Sequence, residues 1–251
     1  MPVPGFRTLA ACSTALLFAA LLPACTSRTP DPPGDPAMAS DSLDSQRSAQ
    51  DSGWVSLFDG TSLSAWRGYQ MDSVPAGWQI QDGALARVGG GGDLITREQF
   101  GSFELELEWK LEPGGNSGIM YKVTEAEDQT YKTGPEIQVL DDERHTDGGS
   151  RLTSAGAAYG LYPAPAGAVK PVGEWNHVRL LVEGNHVRQW LNGTQMADYQ
   201  LHSDEWKGLV AASKFNQWPG YGMAERGHIA LQDHGDPVWY RNIRIRPIPN
   251  P

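Results

Sequence analysis

Phe103-Glu104-Leu105-Glu106-Leu107-Glu108-Trp109-Lys110-Leu111 decides the fold class. Apolar residues occupy every second position of this stretch without a break, and charged residues fill the positions between. A strand sends successive side chains to opposite faces, so this period of two predicts one buried face and one wet face. Moving outward, Val178, Leu180 and Val182 repeat the pattern, and the turn at Gly184-Asn185 follows. Residues 186–191 then lead to a second turn at Asn192-Gly193, so the region reads as a meander of hairpins. Further strands are expected at 77–88, 117–123, 136–140, 208–215, 228–232 and 238–247. No amphipathic helix longer than two turns is expected, and no repeat of propeller-blade length occurs. Many strands with one apolar face need sheet closure or a second sheet. The expectation is therefore an all-β jelly-roll sandwich of two antiparallel sheets, with its terminal strands paired.

Composition agrees. The chain of 251 residues holds 29 Gly and 18 Pro, the punctuation of short strands and turns. Its net charge of -10 argues against nucleic acid, whose phosphates require clustered Lys and Arg, and against electrostatic docking on anionic lipid. A neutral ligand such as a sugar is indifferent to that charge. The two cysteines, Cys12 and Cys25, both precede the strand-rich region, which therefore has no disulfide framework, cysteine zinc site or cysteine nucleophile.

The first 24 residues read as a lipoprotein signal peptide: Arg7, then an apolar run from Leu9 to Leu22, then Leu22-Pro23-Ala24-Cys25. The run is too short to span a bilayer. Cys25 follows small residues as an acylated cysteine does, and several acyl chains make such anchoring stable. Residues 25–52 are expected to be the lipidated cysteine and a Pro-, Asp- and Ser-rich tether too poor in apolar residues to fold. The folded domain is expected at 53–249. Localisation is expected to be exported and anchored to a bacterial membrane by lipid alone, on its periplasmic face or at the outer membrane.

Four segments carry polar groups where a strand has no structural need of them. Gly115-Asn116-Ser117-Gly118-Ile119-Met120-Tyr121 has a glycine inside a strand, the mark of a bulge or of close ligand approach. In Glu136-Ile137-Gln138-Val139-Leu140-Asp141, Glu136 and Gln138 share one face, and the loop beyond crowds Asp141, Asp142, Glu143, His145 and Asp147. Carboxylates beside an imidazole suit a divalent metal ion, with Glu136, Asp141 and His145 as candidate ligands; a solvated acidic loop is the plain alternative. The third segment places Lys214 at the end of the apolar strand expected at 208–215, ahead of Trp218 in a loop where an aromatic ring can stack on a sugar or simply cap the core. In the fourth, His228, Ala230, Gln232 and His234 share one face, opposite Ile229 and Leu231. Two imidazoles around a small residue suggest a pocket wall.

At these segments the chain resembles the bacterial 3-keto-disaccharide hydrolase domain family. The stretches that carry the likeness are 54–63, 116–121, 136–141, 173–176, 190–193 and 227–235 with 240–244. The resemblance covers about residues 54–246 and implies a concanavalin A-like jelly roll acting on glycosides oxidised at C3. Gln189 departs from the pattern, because similar sequences often carry His before Trp-Leu-Asn-Gly.

A C3 ketone acidifies the C2 proton; its removal gives an enolate that expels the C1 substituent, and water then adds to the enone. This chemistry asks for a base, an electrophile at the C3 oxygen and an acid at the leaving oxygen. Under the resemblance, His145 or His234 is the base, Glu136 with Asp141 orients groups or binds metal, and Lys214 is the electrophile. Asn116, Tyr121, Gln138, Trp218, His228 and Gln232 are the expected substrate contacts. A separate dehydrogenase must supply the ketone, since no dinucleotide fingerprint is present. The rival reading is a non-catalytic, lectin-like sugar-binding sandwich; a conventional glycosidase is a third.

Overall fold

The computed structural model describes residues 53–249. The leader expected at 1–24, the lipidation site Cys25 and the tether to residue 52 lie outside the described residues.

Two antiparallel sheets pack face to face. The larger contains β1 (Val55–Phe58), β3 (Trp78–Gln81), β4 (Ala84–Arg87), β6 (Phe103–Leu111), β9 (Asn176–Glu183), β10 (His186–Leu191), β11 (Thr194–Gln200) and β13 (Val238–Pro247). Its order is β11-β10-β9-β6-β13-β4-β3, and β1 also pairs with β13. The smaller sheet, β2-β5-β12-β7-β8, is built from β2 (Trp66–Gly68), β5 (Leu94–Thr96), β7 (Asn116–Val123), β8 (Glu136–Leu140) and β12 (His228–Leu231). The terminal strands do pair, with Val55 opposite Ile245.

The period of two in β6 resolves as expected. Phe103, Leu105, Leu107, Trp109 and Leu111 are buried in the core between the sheets. On the outer face, Glu104 pairs with Arg179 and Arg246, Glu106 with Arg244, and Glu108 with Arg241. Ile119 and Tyr121 of β7, Ile137 and Val139 of β8, and Ile229 and Leu231 of β12 close the core from the smaller sheet.

Two expectations are corrected. The strand expected at 77–88 is a hairpin, β3 and β4, because Asp82 and Gly83 both take positive φ (50° and 74°), the geometry of a two-residue turn that suits strand twist. The strand expected at 208–215 is instead the end of a nine-residue helix, α1 (Asp204–Ala212), longer than two turns, followed by a 3₁₀ turn, Lys214–Gln217. Ser203 caps α1 by accepting the Trp206 N–H at 3.1 Å, and Asp204 and Glu205 favour the positive end of the helix. Ser213 caps the following turn in the same way, accepting from the Phe215 N–H at 3.1 Å.

Candidate active site

The outer face of the smaller sheet is half covered. Ile95, Met120, Val123 and Ala230 form a small apolar layer under Tyr69 and Tyr131. Beside that layer the face stays polar and concave. A cavity of about 220 Å³ opens there, and Asn116, Glu136, Gln138, Lys214, Gln232 and His234 all line it. These six of the expected site residues come from four separate stretches of sequence. Asp93, Gln129, Tyr131, Asp147, Tyr159 and Asp233 complete the wall.

Register explains the convergence. Gly118 of β7 lies opposite Gln138 of β8, and Met120 lies opposite Glu136. A Cβ on Gly118 would stand 2.2 Å from Glu136 Oε1, so this glycine exists to admit the Glu136 carboxyl. Residues 156–159 run along the free edge of β8: the Gly156 N–H donates to Gln138 O at 2.8 Å and the Tyr159 N–H to Glu136 O at 3.0 Å. That edge strip carries Tyr159 to the cavity. The Lys214 ammonium sits 4.3 Å from the Tyr159 ring centre, and the Tyr159 hydroxyl donates to Asp147 Oδ2 at 3.3 Å.

Burial dominates the electrostatics. Glu136 is 7% exposed, and loss of water pushes its carboxyl up to about 8, against an opposing pull from Lys214. Asp93 is also raised by burial, although it accepts from Thr130 Oγ1 and from the Asp233 N–H at 2.8 Å. Asp233 is anchored by Arg87 at 2.6 Å. Two amide oxygens in the wall, Asn116 Oδ1 and Gln138 Oε1, are buried without a protein partner. Unmade acceptors of this kind are costly unless a ligand donates to them.

The structure does not gather every expected residue. Tyr121 faces the core, where its hydroxyl bonds Tyr199 at 2.5 Å, because the strand parity that puts Met120 on the outer face of the sheet turns Tyr121 inward. His228 lies beyond a bulge in the β7–β12 pairing and is buried, with Nδ1 at 2.7 Å from Thr96 O and Nε2 at 3.1 Å from Gln99. Trp218 does not line the cavity; it packs edge-on against Tyr131, which does. Asp141 accepts the backbone N–H groups of Gly114 (2.7 Å) and Glu143 (3.1 Å), a loop-holding role. His145 accepts the Asp147 N–H on Nδ1 at 3.1 Å and meets His234 edge-on at 6.2 Å between ring centres. Glu136, Asp141 and His145 therefore do not form the expected metal set. Among the described residues no group of three or more His, Cys, Asp or Glu is placed to share one ion. Gln189 is buried in the core, and its Nε2 donates to Gly156 O at 2.7 Å, so it buttresses the strip beside β8.

Sequence reasoning missed Asp93, Gln129, Tyr131, Tyr159 and Asp233. None sits in an alternating strand with another site residue, and only the sheet order brings β5 and the 156–159 strip to the cavity.

Fold and pocket define a jelly-roll protein with a polar cavity on the outer face of its smaller sheet. Residues 53–246 match the 3-keto-alpha-glucoside-1,2-lyase-like domain, and the chain belongs to that family. A 3-keto-disaccharide hydrolase of Bacteroides thetaiotaomicron is 38% identical over 226 residues, covering 77% of this chain and 78% of the relative. A provisionally named glycosyl hydrolase of Parabacteroides distasonis superposes with a TM-score of 0.75 at 30% identity, covering 81% of this chain and 96% of the other. A second such protein from the same organism gives 0.64 at 30% identity, over 78% and 99%.

Proposed function

We propose that this chain is a glycoside-cleaving enzyme that acts on 3-keto-glycosides by elimination and hydration. The observation that carries the reading is Glu136: a carboxyl buried in the cavity, held up to about 8, with a lysine ammonium lining the same space. Such a group is a neutral acid at pH 7 and gives up its proton with little further cost, as an acid–base catalyst must. A lectin has no use for it.

His234 is the better base of the two imidazoles. His145 already spends its Nδ1 lone pair on the Asp147 N–H, so its neutral ring carries the proton on Nε2. His234 lines the cavity, and its Nε2 has only a loose 3.4 Å contact with the Asn116 amide to give up. In the proposed reaction, His234 takes the C2 proton and electron density moves to the C3 oxygen, where the Lys214 ammonium stabilises the enolate. The C1–O bond breaks as Glu136 protonates the leaving oxygen. The Glu136 carboxylate then draws a proton from water, hydroxide adds at C1, and the His234 proton returns to C2. The net change is hydrolysis. The orphaned Asn116 and Gln138 oxygens accept from substrate hydroxyls. No step is assigned to a metal, since the expected ligands do not converge. A separate oxidation at C3 must precede this reaction.

The test mixes the purified protein with 3-keto-glucosides and with the matched unoxidised glycosides, with and without a chelator. Cleavage of the keto compounds alone supports the reading. Cleavage of the unoxidised glycosides, or sugar binding with no cleavage, overturns it. We also propose that Cys25 carries the lipid that anchors the chain: labelled palmitate should enter the wild type and not Cys25→Ser.

A further inference from the structure

A second cavity opens between the sheets where β6 and β8 end, and it shares no lining residue with the first. Its volume is about 250 Å³, that of about eight liquid waters at ~30 Å³ each. That is room for one six-membered ring with its substituents, and too little for a drug-sized ligand. Trp109, Leu111, Leu140, Val169 and Val172 make an apolar wall.

Trp109 is 2% exposed, and its indole N–H is buried with no protein acceptor. Two other buried tryptophans behave differently. Trp66 donates to Leu57 O at 2.8 Å, and Trp78 donates to Gly92 O at 2.9 Å. A buried indole usually finds a partner, because the unmade bond is costly. The one left unpaired among these three is the one beside an open cavity.

The rim decides the class of ligand. Asp141, Asp142, Glu143 and Glu174 outnumber Arg144 and Lys170 there, which disfavours an anion. Asp141 has both oxygens engaged by backbone N–H groups and is paired with Arg144 at 3.7 Å, so it offers no open cation seat. What fits is an uncharged ring with an apolar face, an acceptor oxygen for the indole and hydroxyls for the carboxylate rim. We propose that this cavity is a second sugar site, taking a single neutral pyranose. The assignment does not rest on the reaction proposed above.

The test is a ¹H–¹⁵N spectrum of the labelled full chain, read at the tryptophan indole signals during titration with D-glucose and, separately, with inorganic phosphate. Trp109→Phe identifies the Trp109 signal, and sequential assignment of the wild type does so if that variant fails to fold. The expected result is a saturable shift of the Trp109 indole with glucose at millimolar concentration and none with phosphate. The shift should persist in Glu136→Gln, which alters only the first cavity, and vanish in Val172→Phe, which fills the second from its half-buried loop. An unmoved Trp109 signal, a shift with phosphate instead of glucose, loss of the shift in Glu136→Gln, or its survival in Val172→Phe would each overturn the proposal.

Discussion

Glu136 is where the proposed chemistry and the stability of this protein meet. Replacing it with Gln keeps the shape and removes the proton, so turnover of a 3-keto-glucoside should fall by about 10²–10⁴-fold while the fold survives. The stability effect has a definite sign. An ordinary Glu titrates at 4.5, and the folded protein holds Glu136 up to about 8. Between those values the folded state keeps a proton that the unfolded state has lost, so the contribution of Glu136 to stability falls as pH rises. The slope is at most about 1.4 kcal/mol per pH unit. Glu136→Gln should therefore match the wild type near pH 4.5 and become progressively more stable than it towards pH 8, with no further gain above. Denaturant melts of the two proteins at matched pH read this directly, and a constant difference across that window would refute the burial argument. The comparison must be made as a difference, because Glu125, held down to about 2 by Arg67, contributes with the opposite sign at low pH.

At the scale of elements, Lys214 owes its place to a run of stacked rings. Phe215 lies against Tyr221 at 4.0 Å, Tyr221 faces Trp206 at 6.0 Å, Trp206 faces Tyr199 at 5.5 Å, and Tyr199 faces Tyr162 at 4.6 Å, each pair within about 11° of parallel. The run pins α1 and the turn after it onto β11 of the larger sheet, and so fixes the backbone from which Lys214 reaches the cavity. Tyr221→Leu breaks the run between Phe215 and Trp206. Its stability cost should be about 2 kcal/mol, roughly a 4–8 °C loss in Tm. Under the proposed mechanism turnover should fall by at least tenfold, since a lysine displaced by an ångström would no longer meet the enolate oxygen. Melting and steady-state kinetics on the one variant separate the outcomes: a lower Tm with unchanged kcat would show that the run supports the fold and not the lysine.

At the scale of the whole molecule, the net charge of -10 is spread over a surface that a neutral sugar does not feel. The outer face of the larger sheet is laced with Glu–Arg pairs from β6, β9 and β13, which neutralise one another locally. Steering plays no part in capture, so kcat/KM for a neutral 3-keto-glucoside should change less than about twofold between roughly 50 and 500 mM NaCl. A steep salt dependence would point to a charged substrate.

Much of this was legible in the chain itself. The unbroken alternation from Phe103 to Leu111, the Asn192-Gly193 turn and the shared face of Glu136 and Gln138 are local, because strand parity is a property of neighbouring residues. Parity also brought Gln232 and His234 into the expected site. It could not tell which strands lie side by side, and that is what the tertiary structure decided. Pairing of β7 with β8 makes Gly118 a seat for Glu136, and the β5–β12 neighbourhood brings Asp93 to a cavity it is remote from in sequence. Bonds to Thr96 and Gln99 hold His228 outside the cavity although its parity in β12 is kept, and backbone amides claimed Asp141. Capping by Ser203 turned an apolar run that reads as a strand into α1, since the run packs against a ring stack assembled from distant residues. The chain alone determined which side chains share a face; only the folded molecule, by excluding water from some of those faces and pairing others, determined which of them are free to do chemistry.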